Sequence, residues 1–318
     1  MATLADVAAL AGFSKSTVSR ALARPEMVAP ETVARIMAAA DGLGFVPNRT
    51  ARQLARGRTG LAAFVVPTLE NAFFAPIIGG AQSRATESDL HLTVAVQPLE
   101  TAAQVSALER LAAQVDGLIL AAPRGVDDHV LAAGAVKPTV LVDREIGGMT
   151  SVVADTATAV GAVVEGLAER GHRHIAYLGG PSGSWQDRGR EAAARAAAGR
   201  CGASLSVLGP FPATFAAGAA CVTDVLATGC TAVVPYATAI ALGLMFALRG
   251  RGVNAPEDIV VSAEAMVVDA LGAPGVPAID VDGEGLGRAA FDLLADAIRA
   301  AAPPRRLRLP VSVYWSAA

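Results

Sequence analysis

The stretch Thr3–Arg24, TLADVAALAGFSKSTVSRALAR, decides how the chain begins. It reads as two short helices joined by a tight turn. Thr3 suits an N-cap, and Asp6 three residues on gives a pattern close to a capping box. Leu4, Val7, Ala8 and Ala11 fall at helical spacing and form one apolar face. Gly12 ends that helix, because glycine takes the left-handed C-cap conformation without penalty. Phe13 is an apolar plug, and Ser14 caps a second helix running from Lys15 to about Ala23. There Val18, Ala21 and Leu22 point one way, while Lys15, Ser16, Ser19 and Arg20 occupy other faces, with Thr17 between them. A short helix carrying hydroxyls with Lys and Arg fits a DNA major groove: Arg pairs with guanine, and Lys or Ser reaches base edges or phosphates. It fits equally the solvated face of a small bundle, and composition alone leaves both open.

Further along, Pro25 breaks the second helix. Pro30 and Glu31 suit the first turn of a third, since proline loses no needed N–H there and glutamate favours the dipole. Val33, Ile36, Met37 and Ala40 form its stripe, and Gly42 and Gly44 end it. Three such helices bury one small core and little more. Next comes NRTARQLARGRTG, Asn48–Gly60. Asn48 caps a short helix carrying Arg49, Arg52, Gln53, Leu54 and Arg56, too short and too basic to stand alone. It reads as a flexible linker, or as a hinge that folds on phosphate contact with Leu54 as an apolar wedge.

From Leu61 the texture changes. Strands are expected at 61–66, 91–96, 116–122, 138–143, 173–178, 204–208, 231–235 and 258–263. Helices are expected at 72–88, 101–114, 157–170, 185–199, 214–228, 237–250 and 283–301. This alternation implies α/β architecture with parallel sheets flanked by helices. So many strands without an internal repeat suggest two similar lobes, dividing near residues 143–160 with a late crossover near 275–285. The domain reading is therefore 1–47, 48–60 and 61–318.

The chain of 318 residues is 53% hydrophobic and 17% charged, which makes it globular rather than disordered. No run reaches the ~18 apolar residues of a membrane span, and Met1–Leu10 has no secretory pattern. Cys201, Cys221 and Cys230 lack zinc spacing, so free thiols in a cytoplasmic chain are expected. The net charge of −3 hides an asymmetry: residues 1–60 hold eight basic against four acidic side chains, or +4, leaving −7 for the rest. Nucleic-acid contact is thereby confined to the head. GEGLG at 283–287 lacks dinucleotide-binding spacing and reads as loop glycines before a helix. GGPSGS at 179–184 reads as a strand-to-helix turn. His172 and His174 have no third ligand nearby, and Ser182 and Ser184 sit in no nucleophile elbow. No metal, cofactor or catalytic set is expected. A stand-alone solute-binding module and an α/β enzyme are the competing classes.

The residues nevertheless match a known pattern. TLADVAALAGFSKSTVSRAL, VAPETVARIMAAADGLGFVPNRTARQL, FVVPTLENAFFAPIIGGAQ, DGLIL, VLVDR, RGHRHIAYLGG and NAPEDIVV occur in the order found in the LacI/GalR family of bacterial transcription regulators, which the whole chain resembles. The resemblance implies a helix-turn-helix head, a hinge helix and a two-lobed periplasmic-binding-protein-like body. It further implies a cytoplasmic homodimer that binds a pseudo-palindromic operator, usually as a repressor, and a small-molecule effector between the lobes. Lys15 and Ser16 fall on base-reading positions and Arg20 on a further contact position. Thr3, Leu4, Ser14, Thr17, Ser19, Asn48, Arg49 and Gln53 join the expected DNA surface, and Leu54 falls on the hinge leucine levered into the minor groove. The expected dimer contacts are the helix after Phe74 and the helix at Ile240–Leu248.

In the effector cleft Arg190 falls on the family's arginine, and Asp155 keeps an acidic position. Asn71, Phe73, Phe74, Asp143, Trp185, Phe211, Tyr236, Thr238 and Glu264 complete the expected pocket. Here the chain departs from the pattern. The family's Asn-Asp pair is Ala237-Thr238, its Gly-Phe-Asp-Asp run is Ala263-Glu264-Ala265-Met266, and its Gln-Pro is Val281-Asp282. Those positions usually bond sugar hydroxyls. The departure fits a less polar ligand, a sugar acid or other organic acid held by Arg190, or a weakened effector response.

Overall fold

The computed structural model describes residues 2–23, 25–45, 58–88, 90–272, 275–300 and 303–316. Asn48, Arg49, Gln53 and Leu54, and the hinge helix they define, lie outside the described residues. The chain forms two compact units, Met1–Leu61 with Gln114–Asp116, and the remainder.

In the first unit α1 is Leu4–Ala11, α2 Lys15–Ala23 and α3 Pro30–Gly42. The capping box is complete: Asp6 N–H donates to Thr3 Oγ1 (3.4 Å), and Thr3 N–H donates to Asp6 Oδ2 (2.8 Å). These bonds from the Thr3 backbone and hydroxyl hold the Asp6 carboxyl below its ordinary range. Gly12 takes φ 74°, left-handed, at the end of α1. Val7, Ala8, Ala11, Val18, Ala21, Ile36, Ala39 and Ala40 form the core, with Leu4 and Leu22 packed at its edge. Full burial of Val7, Val18 and Ile36 contributes about 1.5–3 kcal/mol each. Met37, expected in the stripe of α3, is instead 45% exposed. The helix turns Ala39 inward, because 3.6-residue periodicity places position 39, not 37, beside Ile36. Thr59 and Gly60 are pinned by the Asp116 carboxylate, which accepts both backbone N–H groups at 2.8 Å.

The second unit contains two lobes. In the first lobe β1 (Leu61–Val66), β2 (His91–Val96), β3 (Gly117–Ala121), β4 (Thr139–Val142), β5 (Thr150–Ala154) and β12 (Arg306–Leu309) make a sheet of order β12-β5-β4-β3-β1-β2. β1 pairs parallel with β3, β3 with β4, β4 with β5 and β5 with β12. The unbroken apolar run of β1 suits an interior position, and the half-exposed β2 suits the edge. α4 (Phe74–Glu87), α5 (Ala102–Ala112), α6 (Asp127–Ala135) and α13 (Gly283–Arg299) cover it. α4 and α13 touch backbone to backbone: a Cβ on Gly287 would lie 1.9 Å from the Ile77 carbonyl oxygen, and one on Gly80 2.1 Å from that of Glu284. The GEGLG glycines are thus inside a helix, not in a loop before it.

In the second lobe β6 (His174–Leu178), β7 (Ser204–Leu208), β8 (Ala232–Pro235) and β9 (Val260–Val261) form a parallel sheet of order β7-β6-β8-β9. α7 (Thr156–Glu169), α8 (Trp185–Cys201), α9 (Phe215–Ala220), α10 (Val222–Ala227) and α11 (Thr238–Arg249) flank it. A third sheet joins β10 (Ala263–Glu264), β11 (Pro277–Asp280) and β13 (Ser312–Trp315), with α12 (Ala265–Leu271) between β10 and β11. β11 and β13 run antiparallel, an exception to the parallel expectation.

The strand expected at 258–263 divides at Ser262, where the chain leaves β8 and pairs instead with Ala278. The helix expected at 214–228 breaks at Cys221. The chain passes between the lobes three times, after Ala154, after Asp280 and after Leu309. Among the described residues no helix is long and apolar enough to cross a membrane. None of their His, Cys, Asp and Glu side chains group into a metal site.

Candidate functional site

On the head, Ser14 Oγ accepts from Thr17 N–H (3.1 Å) and contacts the hydroxyls of Ser16 (2.8 Å) and Thr17 (2.9 Å). The start of α2 is therefore capped by the Ser14 hydroxyl. Lys15, Ser16, Ser19 and Arg20 are exposed on it, and Thr17 is half-buried. Lys15 and Arg20 have no ion-pair partner among the described residues, so both charges are available to an outside anion. Thr3 is spent on its cap, and Leu4 packs against the core.

Between the lobes the floor of the cleft is a cavity of about 30 Å³ lined by Phe73, Thr156, Arg190, Tyr236, Thr238, Ser262 and Glu264 among apolar neighbours. That is room for one water. Arg190, on α8, is held by three contacts. Its Nε donates to Thr156 Oγ1 (2.8 Å), one Nη donates to the Tyr236 carbonyl (2.7 Å), and its guanidinium lies 4.8 Å from the centre of the Tyr236 ring. Its second Nη makes no hydrogen bond to the described residues. Tyr236 Oη is 3.0 Å from Ser184 Oγ, and burial pushes its phenol up against the opposing effect of Arg190. Glu264 N–H donates to Thr238 Oγ1 (3.4 Å). Burial raises the Glu264 carboxyl above its ordinary range, while Arg190 and Thr238 pull it down. The floor thus offers a fixed cation and a carboxyl of raised pKa within an apolar wall.

Toward the mouth lies a larger cavity of about 290 Å³, sharing Tyr236 and lined by Asn71, Phe74, Arg124, Ser184 and Thr214 among others. Its first-lobe rim is built at the carboxyl ends of strands, where α/β sheets present their ligand sites. Ala122, which lines it, follows β3 with φ 42°, and the buried Leu99 and Asp143 follow β2 and β4 behind it with φ of 61° and 56°. Backbone in that region costs on the order of 1–3 kcal/mol per residue and persists only when surroundings enforce it. The buried Arg144 supplies part of that enforcement. One Nη donates to the carbonyls of Pro123 and Gly125, both at 2.6 Å, and the other to Asp127.

Of the eleven expected effector residues, Asn71, Phe73, Phe74, Arg190, Tyr236, Thr238 and Glu264 line these two cavities. Phe74 is largely first-lobe core. Four do not line them. Asp143 is buried with its carboxylate accepting Ala154 N–H at 3.0 Å, and burial raises its pKa. Asp155 accepts from Thr158 (2.8 Å) and pairs with Arg308 (3.3 Å). Phe211 packs against the second-lobe core, and Trp185 opens α8 outside both cavities. Thr156, Ser184, Ser262 and Arg124 were not foreseen. Each lies at or just beyond the carboxyl end of a strand or at a helix start, and that placement was the available signal.

Residues 3–48 match the family described as bacterial regulatory proteins of the LacI family, and residues 59–317 match periplasmic binding proteins and the sugar-binding domain of that family. The regulator PtxS of Pseudomonas plecoglossicida is 31% identical over 196 residues, 60% of this chain and 58% of that protein. The chain thus spans little more than half the length of that relative, and likewise 54% of the regulator GntR of Escherichia coli. The repressor CytR of Escherichia coli is 27% identical across 81% of this chain and 78% of its own. Among solved structures, the Lac repressor dimer bound to operator and an anti-inducer superposes with a TM-score of 0.82, 27% identity and coverage of 99% and 98%. The regulator CelR in complex with cellobiose gives 0.72 and 28%, with both chains covered in full. The chain belongs to the LacI family of bacterial regulatory proteins.

Proposed function

We propose that this chain is a sequence-specific DNA-binding transcriptional regulator that reads a pseudo-palindromic operator as a homodimer in the cytoplasm, acting as a repressor rather than an enzyme. One observation carries the reading. A capped α2 presents Lys15, Ser16, Ser19 and Arg20 outward, with both charges unpaired among the described residues. A groove-reading face offers such donors to phosphates and base edges. Asn48, Arg49 and Gln53 would add phosphate contacts, and Leu54 the minor-groove wedge.

The dimer surface fits the outer side of α11. The 71% exposed Phe246 faces outward there, beside Phe215 with ring centres 5.9 Å apart, over a groove of about 820 Å³ that Leu242 and Met245 also line. The helix after Phe74 and the helix at Ile240–Leu248, α4 and α11, are the two expected at the dimer seam, and each has one side turned inward. Ile77, Gly80 and Ala81 are covered by α13, and Ile240 and Leu244 by the second-lobe core.

The effector is a small molecule enclosed between the lobes: a sugar, a sugar acid or another small organic molecule. Arg190 meets its acceptors and Glu264, Thr238 and Ser262 its donors. Selection of bound duplexes from a random pool tests the DNA reading. The full chain should recover a palindrome, with log K falling steeply as log salt rises. The variant carrying Lys15→Ala, Ser16→Ala and Arg20→Ala should recover none. Enrichment of no sequence by the unsubstituted chain refutes the reading.

A further inference from the structure

The turn between α1 and α2 fixes the angle at which the reading helix leaves the head. One side chain from outside that pair is seated on it. Arg35, on α3, donates from Nη2 to the carbonyl of Ala11 at 3.2 Å. Ala11 is the last residue of α1, so this carbonyl stands at the helix's negative end, where a cation is stabilising. The same guanidinium lies 4.9 Å from the centre of the Phe13 ring, in the range of a cation–π contact. Between them is Gly12, left-handed at φ 74°, whose pro-Cβ direction points at Arg35 Nη2 only 3.7 Å away. Ala11 and Phe13, the residues on either side of Gly12, therefore both meet one guanidinium. Directly after them Ser14 caps α2.

We infer that Arg35 is a positioning residue for DNA reading. It acts through Phe13 and Ala11 to set the pose of α2, and not by touching DNA itself. The inference rests on the DNA-reading function proposed above. Planarity matters, since a guanidinium stacks on a ring while donating in its own plane, whereas an ammonium does one at the expense of the other. Arg35→Lys should accordingly retain part of the effect that Arg35→Ala loses.

The test uses the full chain and the duplex selected by the unsubstituted protein. Arg35→Ala should weaken specific binding about tenfold, as loss of a charge-assisted hydrogen bond and a ring contact implies. Arg35→Lys should weaken it by about threefold. The slope of log K against log salt should stay unchanged, because no phosphate contact is removed. In a cycle with Phe13→Leu the two substitutions should be non-additive in binding. Selection repeated with Arg35→Ala should return a blurred half-site at the bases read by α2. Thermal unfolding of each variant checks that the head still folds, and Arg35→Lys serves if Arg35→Ala does not. A slope shallower by about one phosphate would make Arg35 a direct DNA contact and overturn the inference. Additive effects, or unchanged binding and half-site, would overturn it as well. Failure of the unsubstituted chain to select any sequence would instead sink the DNA reading, an outcome distinct from these.

Discussion

Removing Arg144 should loosen the rim of the cleft. The residue is 3% exposed, and one Nη serves the carbonyls of both Pro123 and Gly125. Arg144→Ala leaves those two acceptors without their donor. A hydrogen bond from a charged group contributes about 1.5–3 kcal/mol, and a stranded buried group forfeits most of it. The pair therefore accounts for roughly 3–5 kcal/mol. Asp127 adds little, because its side chain is 66% exposed and water replaces the ion pair. Against the loss stands the desolvation of the guanidinium, whose Nε is buried without a partner and whose removal returns part of that cost. The net expectation is a destabilisation of about 3 kcal/mol. The assay is equilibrium urea unfolding followed by far-ultraviolet circular dichroism, with cleavage of the 122–127 loop by protease as a local probe. The midpoint for the first lobe should fall by about 1 M, and the loop should become cleavable before the sheet unfolds. A loss under about 1 kcal/mol with the loop still protected would refute the clamp.

Glu264 sets a pH dependence. Its folded pKa is raised by burial, so the stability it confers is complete below its unfolded value near 4.5 and is lost as pH rises through the folded one. Glu264→Gln should thus gain in melting temperature relative to the unsubstituted chain as pH goes from about 4 to 7; a difference that stays constant across that range would remove the buried-acid account. Arg190→Ala should abolish the response of DNA binding to the effector while operator affinity changes by less than about threefold, because the cleft and α2 share no residue. A response surviving at the same ligand concentration would make Arg190 structural. Phe246→Glu should convert the dimer to monomer in sedimentation and weaken operator binding, and a variant that remains dimeric would move the interface away from α11.

Long apolar periodicity made most of the body legible. LAAFVV, HLTVAV and SLSVL are strands at their expected residues, and the head helices follow their caps. What escaped reading lacks a local signal. β12 is RLRL, whose alternating arginines look like a solvated run, and only its pairing with β5 across 155 residues of chain makes it a strand. β10 is two residues long, and β11 pairs with β13 only after α13 and β12 have intervened. α6, DDHVLAAGA, follows a proline-glycine loop and carries too weak an apolar stripe to announce itself. At the cleft, residue type singled out Arg190, Tyr236 and Glu264, which line one cavity. It misplaced Asp143 and Asp155, because a carboxylate can be drawn off by a backbone N–H or an arginine that no local pattern reveals. Arg35 is the converse case, an ordinary surface arginine until the fold brings Phe13 beneath it.

The three passages between the lobes dictate an order of birth. On the ribosome β1 to β5 emerge first, yet the lobe they form is unfinished until β12 closes its edge at Leu309 and α13 covers α4. At roughly 5–20 residues per second, the 155 residues from Ala154 to Leu309 take about 8–30 s to be made. Throughout that interval the outer edge of β5 has no mate, and until α13 is made the small-residue face of α4 has none either. The second lobe has no such wait for most of its strands, since β6 to β9 are complete by Val261. The lobe begun first is therefore the one finished last, and a nascent chain stalled before residue 283 would carry an open strand edge into a crowded cell.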